Sequence, residues 1–371
     1  MDTARLKKSF AQVTMHGDEV ALFFYSSLFL RHPELRELFP VSMATQRDRL
    51  VRALGRIISD VENIEQLRPF IQGLGRDHRK FGTLTDHFKP LGDSLIATVA
   101  HFSGPGWTPE LEADWRAAYD LVAQIMSDAA AEDELVHPAY WDATVLFHER
   151  RAFDTAVFRV GTPEELSYLP GQSVAIEYET RPRIWRYYSI ANAPRPDGTL
   201  DFHVRTVPGG ELSMALVGGL AAGSRLRLGA PVGTLTLDDR SGRDVLLVAG
   251  STGLAPVKAI AEQIAGLPRP PRVTLFFGAR RADGLYDLAD LEKFSASAPW
   301  LTVIPCVSDE ADYDGQRGLL PDVVARCGSW VFHDTYLAGP TPMVEGMAGR
   351  LAAQGVPQEQ IHVEDFGWSE P

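Results

Sequence analysis

The stretch LLVAGSTGLAPVKAI (residues 246–260) runs from an aliphatic, strand-like segment through a glycine turn into a helix former. Gly250, Thr252 and Gly253 make the turn, and Pro256 suits a first helical turn, where its missing N–H leaves no bond unmade. Exposed N–H groups at such a turn attract anions. The spacing is not G-x-G-x-x-G, and a strand–GxxG–helix also serves as a tight packing turn. A second turn, Gly339-Pro340 in YLAGPTPMVEGM, closes a later strand and would line the same crevice, because ligands bind at the carboxyl ends of such strands. RYYSIANAP (186–194), with LPGQS before it and VPGGELSMAL after it, is a further candidate. A guanidinium matches phosphate oxygens in pairs, and an aromatic face shields a flat ring. Gly209, Gly210 and Ser213 add a glycine turn and a hydroxyl at a helix start, a second place for phosphate. The last candidate is GLGRDHRKFG (73–82). Ile71, Leu74, Gly75 and His78 fall on one helical face, with Gly75 leaving room for something bulky. Taken alone, His78 reads as a satisfied core histidine or as a ligand.

Two polar residues in apolar company bear on that choice. Gln46 opens a stripe continued by Leu50, Leu54, Ile57 and Val61, and Tyr25 lies between Leu22 and Phe29. Buried polar groups need partners, so three of them on three helices are expected to converge on one ligand. The elements that position these residues fall into three textures. About 135 residues read as helices; short β-rich runs broken by Gly, Pro and Asp follow (SVAIEY, RYYSIAN, LDFHVRTV, SRLRLGA); then buried-looking strands (DVLLVAG, RVTLFFGAR, WLTVIPCVS, DTYLAGP) alternate with helices. That last alternation predicts a parallel sheet covered on both faces. The expected division is 1–136, 137–239 and 240–371.

Composition sets the outer bounds. A net charge of −13 argues against a nucleic-acid partner. Two cysteines, Cys306 and Cys327, fit neither a disulfide scaffold nor a zinc site and suggest a reducing compartment. No window is apolar enough for membrane insertion, and the first residues lack a signal-peptide core. A cytoplasmic monomer is the expectation.

The middle and last thirds, about 140–371, resemble the ferredoxin–NADP reductase family, on RYYSIANAP, the glycine turns and the C-terminal HVEDFGW. The resemblance implies FAD, with Arg186 on its pyrophosphate, Tyr188 against the isoalloxazine, Ser189 near N5, and Glu364 and Phe366 flanking the ring where nicotinamide docks. The first third, on FFYSSLFLRHPELRELF, the Gln46 and His78 helices and WRAAYDLVAQIM, resembles the globin domain of bacterial flavohaemoglobins. The implied fold is multidomain: an all-α globin, an antiparallel FAD-binding β-barrel, then an α/β parallel-sheet NAD(P)-binding domain. The implied cofactors are haem b, FAD and NADH or NADPH. By the same match His78 is the iron ligand and Phe39 wedges against the porphyrin. Tyr25 and Gln46 flank bound O₂, Leu50 walls the distal pocket, and Glu132 stands behind His78. A carboxylate there strengthens the imidazole as a donor.

Three positions depart from the family pattern. Asp77 replaces a lysine, Phe88 a tyrosine, and Ala338 the cysteine of a late Cys-Gly-Pro turn. The implied activity is nitric oxide dioxygenation, with O₂ and NO as small-molecule partners. The alternatives are a divergent flavohaemoglobin using another electron donor or reducing peroxide or oxygen, a haem-based redox or oxygen sensor, and a reductase feeding a separate oxygenase. Arg280 and Arg281 follow a strand where a 2′-phosphate would sit, yet NADH is the expected donor.

Overall fold

A computed structural model describes residues 1–83 and 85–364, without the side chain of Thr45. Helical periodicity builds the first part into α1 (Thr3–Thr14), α2 (Asp18–Arg31), α3 (Ala44–Ser59), α4 (Ile64–His78), α5 (Phe88–Ser103) and α6 (Pro109–Glu134). Local chemistry sets the starts. Asp2 caps α1 by accepting from Arg5 N–H, and Thr108 caps α6 ahead of Pro109. Two apolar clusters hold the helices together. One gathers Leu6, Phe24, Tyr25, Leu28, Leu95 and Trp115; the other joins Ile57, Phe70, Ile71 and Leu74 to Ile125 and Met126 of α6.

The second texture forms an antiparallel sheet of β1 (Trp141–Ala152), β2 (Thr155–Gly161), β3 (Ser173–Tyr178), β4 (Arg186–Ser189), β5 (Leu200–Arg205) and β6 (Arg225–Leu228), in the order β4-β3-β6-β1-β2-β5. At the start of β1, Trp141, Ala143 and Val145 point in while Asp142, Thr144 and Leu146 point out. An antiparallel bridge between Ile190 and Phe202 joins the two edges, so the sheet nearly closes on itself. Closure removes the exposed edge that an open sheet would carry. A short helix, α7 (Glu211–Gly218), follows β5.

The third texture is a parallel sheet in the order β10-β9-β8-β7-β11-β12. It comprises β7 (Asp244–Gly250), β8 (Val273–Ala279), β9 (Leu301–Val307), β10 (Gln316–Arg317), β11 (His333–Ala338) and β12 (Ile361–Val363), with α8 (Leu254–Ala265), α9 (Leu288–Ser297), α10 (Leu320–Cys327) and α11 (Thr341–Ala353) between. Its two faces carry separate apolar clusters, as expected of strands covered on both sides. The described residues form two compact units, residues 1–140 with Pro182–Ile184, and residues 141–181 with 185–364, the second holding both barrel and parallel sheet. Among the described residues no helix is long and apolar enough to cross a membrane.

Candidate functional site

In the helical unit Tyr25 is buried on α2, and Gln46 of α3 acts on its hydroxyl. Burial pushes its hydroxyl pKa well up, so the phenol stays protonated and able to donate. Phe39 meets Tyr25 edge-on, centroids 5.5 Å apart, Phe29 stacks on it at 5.8 Å, and the two phenylalanines meet each other edge-on at 5.3 Å. Leu50, Phe39 and Met43 pack on the same cluster. The expected neighbour Leu22 is instead exposed, because the inward face of α2 is Ala21, Phe24, Tyr25 and Leu28.

His78 is the last residue of α4, and its Nδ1 donates to the Leu74 carbonyl at 2.7 Å. A carbonyl only accepts, so Nδ1 carries the hydrogen and Nε2 keeps its lone pair, the tautomer a metal requires. Phe81 meets the imidazole edge-on at 5.7 Å. Lys80, almost wholly buried, pairs with Asp77, and Arg79 binds Asp133 of α6 and the His137 carbonyl (2.9 Å). The Arg49 charge, one turn along α3 from Gln46, also acts on Lys80. An aromatic and apolar shell, one polar pair and a half-buried imidazole of fixed tautomer make a donor set that fits haem.

Two expectations here are corrected. Glu132 is exposed, and the acid turned inward is its neighbour Asp133, a 100° step around the helix, engaged with Arg79 and His137 rather than with His78. Gly75 makes room for no ligand. A Cβ there would lie 2.3 Å from the Met126 carbonyl oxygen, so the glycine admits the backbone of α6.

In the barrel, β4 pairs with β3 from Ser173↔Ser189 to Ile176↔Arg186, yet all four of its side chains remain half-exposed. That leaves Arg186, Tyr188 and Ser189 able to meet a ligand. Ser189 Oγ donates to Glu364, which also accepts from Ser173 Oγ at 3.5 Å. Burial raises the Glu364 carboxyl to about 7, the two serine bonds pulling it back. Gly209 takes φ +74°, a left-handed turn. Ser213 is corrected: its hydroxyl is buried, donating to Gly210 O (3.1 Å) and accepting from Val207 N–H (3.1 Å), so it shapes the turn instead of facing a phosphate. An exposed-faced strand carrying arginine and tyrosine beside a left-handed glycine turn fits FAD. Phe366 lies outside the described residues.

In the parallel sheet, β7 lies between β8 and β11, and the connections leave it in opposite directions, which creates the crevice at the carboxyl ends. Thr252 is half-buried there, and Pro256 sits in the first turn of α8 as expected. The glycines serve a different purpose from the one expected. A Cβ on Gly253 would sit 2.3 Å from Ala338 O and 2.5 Å from Gly339 N, and one on Gly250 3.1 Å from Pro340 Cδ. Their bare backbone lets the two turns pack on each other. Gly339-Pro340 therefore does line the crevice with the first turn.

Sequence reasoning missed a cluster joining the barrel to the parallel sheet. Asp287, 1% exposed, binds Arg151 Nη1 of β1 and Lys258 Nζ of α8, each at 2.6 Å, and Arg151 also reaches Asp290 at 2.6 Å. Beside it His203 Nδ1 meets Tyr286 Oη at 2.9 Å. Buried charges demand such pairing, but partners 136 residues apart, as Arg151 and Asp287 are, leave no local spacing to read.

Three family models match in series: Globin over residues 22–126, Oxidoreductase FAD-binding domain over 142–237, and Oxidoreductase NAD-binding domain over 247–349. The xylene/toluene monooxygenase electron transfer component XylA of Pseudomonas putida is 34% identical over 68% of this chain and 75% of its own. The flavohemoprotein of Rhizobium meliloti (strain 1021) is 25% identical over 96% of this chain and 94% of its own. The structure of flavohemoglobin from Malassezia yamatoensis, with bound FAD and heme, shares the fold at TM-score 0.80 and 18% identity, over 98% of each chain. The chain belongs to the flavohaemoglobin family, an NAD(P)H oxidoreductase built from a haem-binding globin, an FAD-binding barrel and an NAD-binding sheet.

Proposed function

We propose that this flavohaemoglobin is a nitric oxide dioxygenase. FAD and haem, when bound, would supply the electron-transfer and oxygen chemistry that turns NO and O₂ into nitrate at the expense of a reduced nicotinamide. The chain's own residues provide orientation, electrostatics and exclusion of water. His78, its ring fixed by Leu74 O, would hold the haem iron through Nε2. Arg186 neutralises the flavin pyrophosphate and Tyr188 covers the ring, while Ser189 and Glu364 form a hydroxyl–carboxyl pair beside it. The pair can take up or give back a proton near neutral pH, since Glu364 titrates at about 7.

The observation that carries the reading is the buried Tyr25 hydroxyl, with Gln46 acting on it, inside the shell of Phe29, Phe39 and Leu50. A preorganised donor in a dry pocket stabilises partial negative charge on an oxygen ligand far better than water does. Burial raises the Tyr25 pKa and keeps its proton on, with Gln46 acting the other way more weakly. The test is NO consumption under air by haem- and FAD-loaded protein, with nitrate assayed, for the natural chain and Tyr25→Phe. Loss of one such donor should accelerate O₂ dissociation and slow NO consumption, each by about a hundredfold. Equal O₂ off-rates in the two proteins would remove Tyr25 from the site, and an absence of nitrate would end the dioxygenase reading.

A further inference from the structure

A dinucleotide crossing the crevice places its pyrophosphate at the turn after β7. Its adenosine ribose then reaches the carboxyl end of the next strand along, where an acidic side chain favours the 2′-hydroxyl of NAD and a free arginine the 2′-phosphate of NADP. Here that strand is β8, and Arg280 and Arg281 follow it. Arg281 is not free. Its Nη2 lies 3.0 Å from Glu310 Oε1, and its Nε 3.9 Å from Asp283 Oδ1. Glu310 is itself anchored, because the Ala282 N–H donates to its Oε2 at 3.1 Å. The loop that carries it is tied backbone to backbone beneath the arginines: Ser308 N–H donates to Ala279 O at 3.1 Å and Asp309 N–H to Arg280 O at 2.8 Å. Glu310 is largely covered, with 17% of its side chain exposed, whereas Arg281 keeps 64%. The carboxylate is thus the fixed partner and the guanidinium the movable one. The rim around them carries Arg280 and Arg281 against Asp283, Asp309 and Glu310.

We propose that Glu310 sets the nicotinamide preference of this chain: it occupies Arg281, leaves the ribose rim net negative, and so selects NADH over NADPH. A 2′-phosphate entering this rim must displace a carboxylate held on both oxygens and meets two further acids. A 2′-hydroxyl meets acceptors it can donate to. The inference rests on the NAD-binding sheet and not on the dioxygenase reading, so the test contains no NO.

The experiment uses the full haem- and FAD-loaded chain without oxygen, at low ionic strength, where exposed charges are least screened. Calorimetric titration with 2′,5′-ADP and with 5′-AMP measures the rim directly, and stopped-flow flavin reduction by NADH and NADPH measures its consequence. In the natural chain NADH should be preferred by at least about tenfold in second-order rate. Glu310→Gln should tighten 2′,5′-ADP by about tenfold, leave 5′-AMP within about twofold, and shift the rate ratio toward NADPH by the same factor; unpaired Arg281 then offers a charge-assisted fork. Adding Arg281→Ala to Glu310→Gln should erase the gain, which a general loss of packing would not do. A natural chain that prefers NADPH overturns the proposal. So does a Glu310→Gln chain with unchanged 2′,5′-ADP affinity, or a gain that survives removal of Arg281.

Discussion

Replacing Glu364 with glutamine should remove a titration from the interior of the second unit. The carboxyl is held by two serine hydroxyls, and burial raises it from the ordinary 4.5 to about 7. In the pH interval between those values the folded protein keeps a proton that the unfolded chain releases. The raised group therefore contributes stability that is complete below about pH 4.5 and lost as pH climbs through 7. At about 1.4 kcal/mol per pH unit, the interval from 4.5 to about 7 amounts to about 3 kcal/mol. A glutamine keeps a polar group near both serines and is neutral throughout, so its contribution does not vary with pH. In flavin-free protein, Glu364→Gln should gain about 3 kcal/mol on the natural chain between pH 4.5 and pH 8.5, read from the unfolding transition of the second unit. A multidomain chain need not unfold in two states, so a direct readout is paired with it. The infrared difference between the two proteins should contain a protonated-carboxyl band that fades with a midpoint near 7. Parallel stability profiles, or a band already gone at pH 5.5, would refute the reasoning, for then Glu364 titrates like an exposed acid.

The helical unit yields two further expectations. Asp77→Ala removes the carboxylate paired with Lys80, whose side chain is 2% exposed, and breaking a buried ion pair costs about 3 kcal/mol or more. The urea transition followed by far-ultraviolet dichroism should fall accordingly, and Asp77→Leu with Lys80→Met should recover most of the loss; a single variant within about 1 kcal/mol of the natural chain would show the pair to be solvated. Gly75→Ala should destabilise the haem-free unit by at least about 2 kcal/mol, since its Cβ would lie 2.3 Å from the Met126 carbonyl oxygen. If the haem-free protein were unaffected and only haem affinity dropped, the glycine would be serving a ligand after all.

These residues also mark how far the sequence could be read. Four of the six described strands of the last third, β7, β8, β9 and β11, are predicted to within about two residues. Each is an apolar run bounded by Gly, Pro or Asp, a pattern that buried parallel strands impose, whereas the short edge strands β10 and β12 carry no such run. Gln46 is legible as a polar residue opening an apolar helical stripe and Tyr25 as a phenol in apolar company, groups that burial obliges to find a partner. Gly75 shows where the method stops. Periodicity identifies the inward face of α4, but not whether a ligand or another backbone lies against it. Gly250 and Gly253 repeat that lesson at the crevice, where their missing side chains make room for a second turn. For Glu132 the failure is one of angle. Residues 131–134 read Ala-Glu-Asp-Glu, and three consecutive acids at a helix end give no pattern by which to choose the inward one.

The displaced acid bears on the rival activity. A carboxylate bonded to Nδ1 of a ligating histidine draws its proton away and makes Nε2 a stronger donor, the condition that favours O–O cleavage in peroxide chemistry. His78 has a peptide carbonyl there instead, at 2.7 Å. The nearby acids are otherwise engaged, Asp77 with Lys80 and Asp133 with Arg79 and His137. Asp77 still acts on the imidazole through space, favouring its charged form, while burial acts more strongly the other way. The outcome is a neutral imidazole whose burial lowers its pKa, suited to holding iron that binds oxygen reversibly and poorly suited to heterolysis of peroxide. That weighs for dioxygenation and against peroxide reduction. Introducing the missing acid by Leu74→Glu would not test it, since His78 bonds the Leu74 backbone, which any residue keeps. The informative measurement is the iron–histidine stretching frequency of the ferrous ligand-free protein. A value typical of carbonyl-bonded globin histidines fits the geometry, and one in the range of carboxylate-bonded peroxidase histidines would mean that an acid reaches Nδ1 once haem is bound.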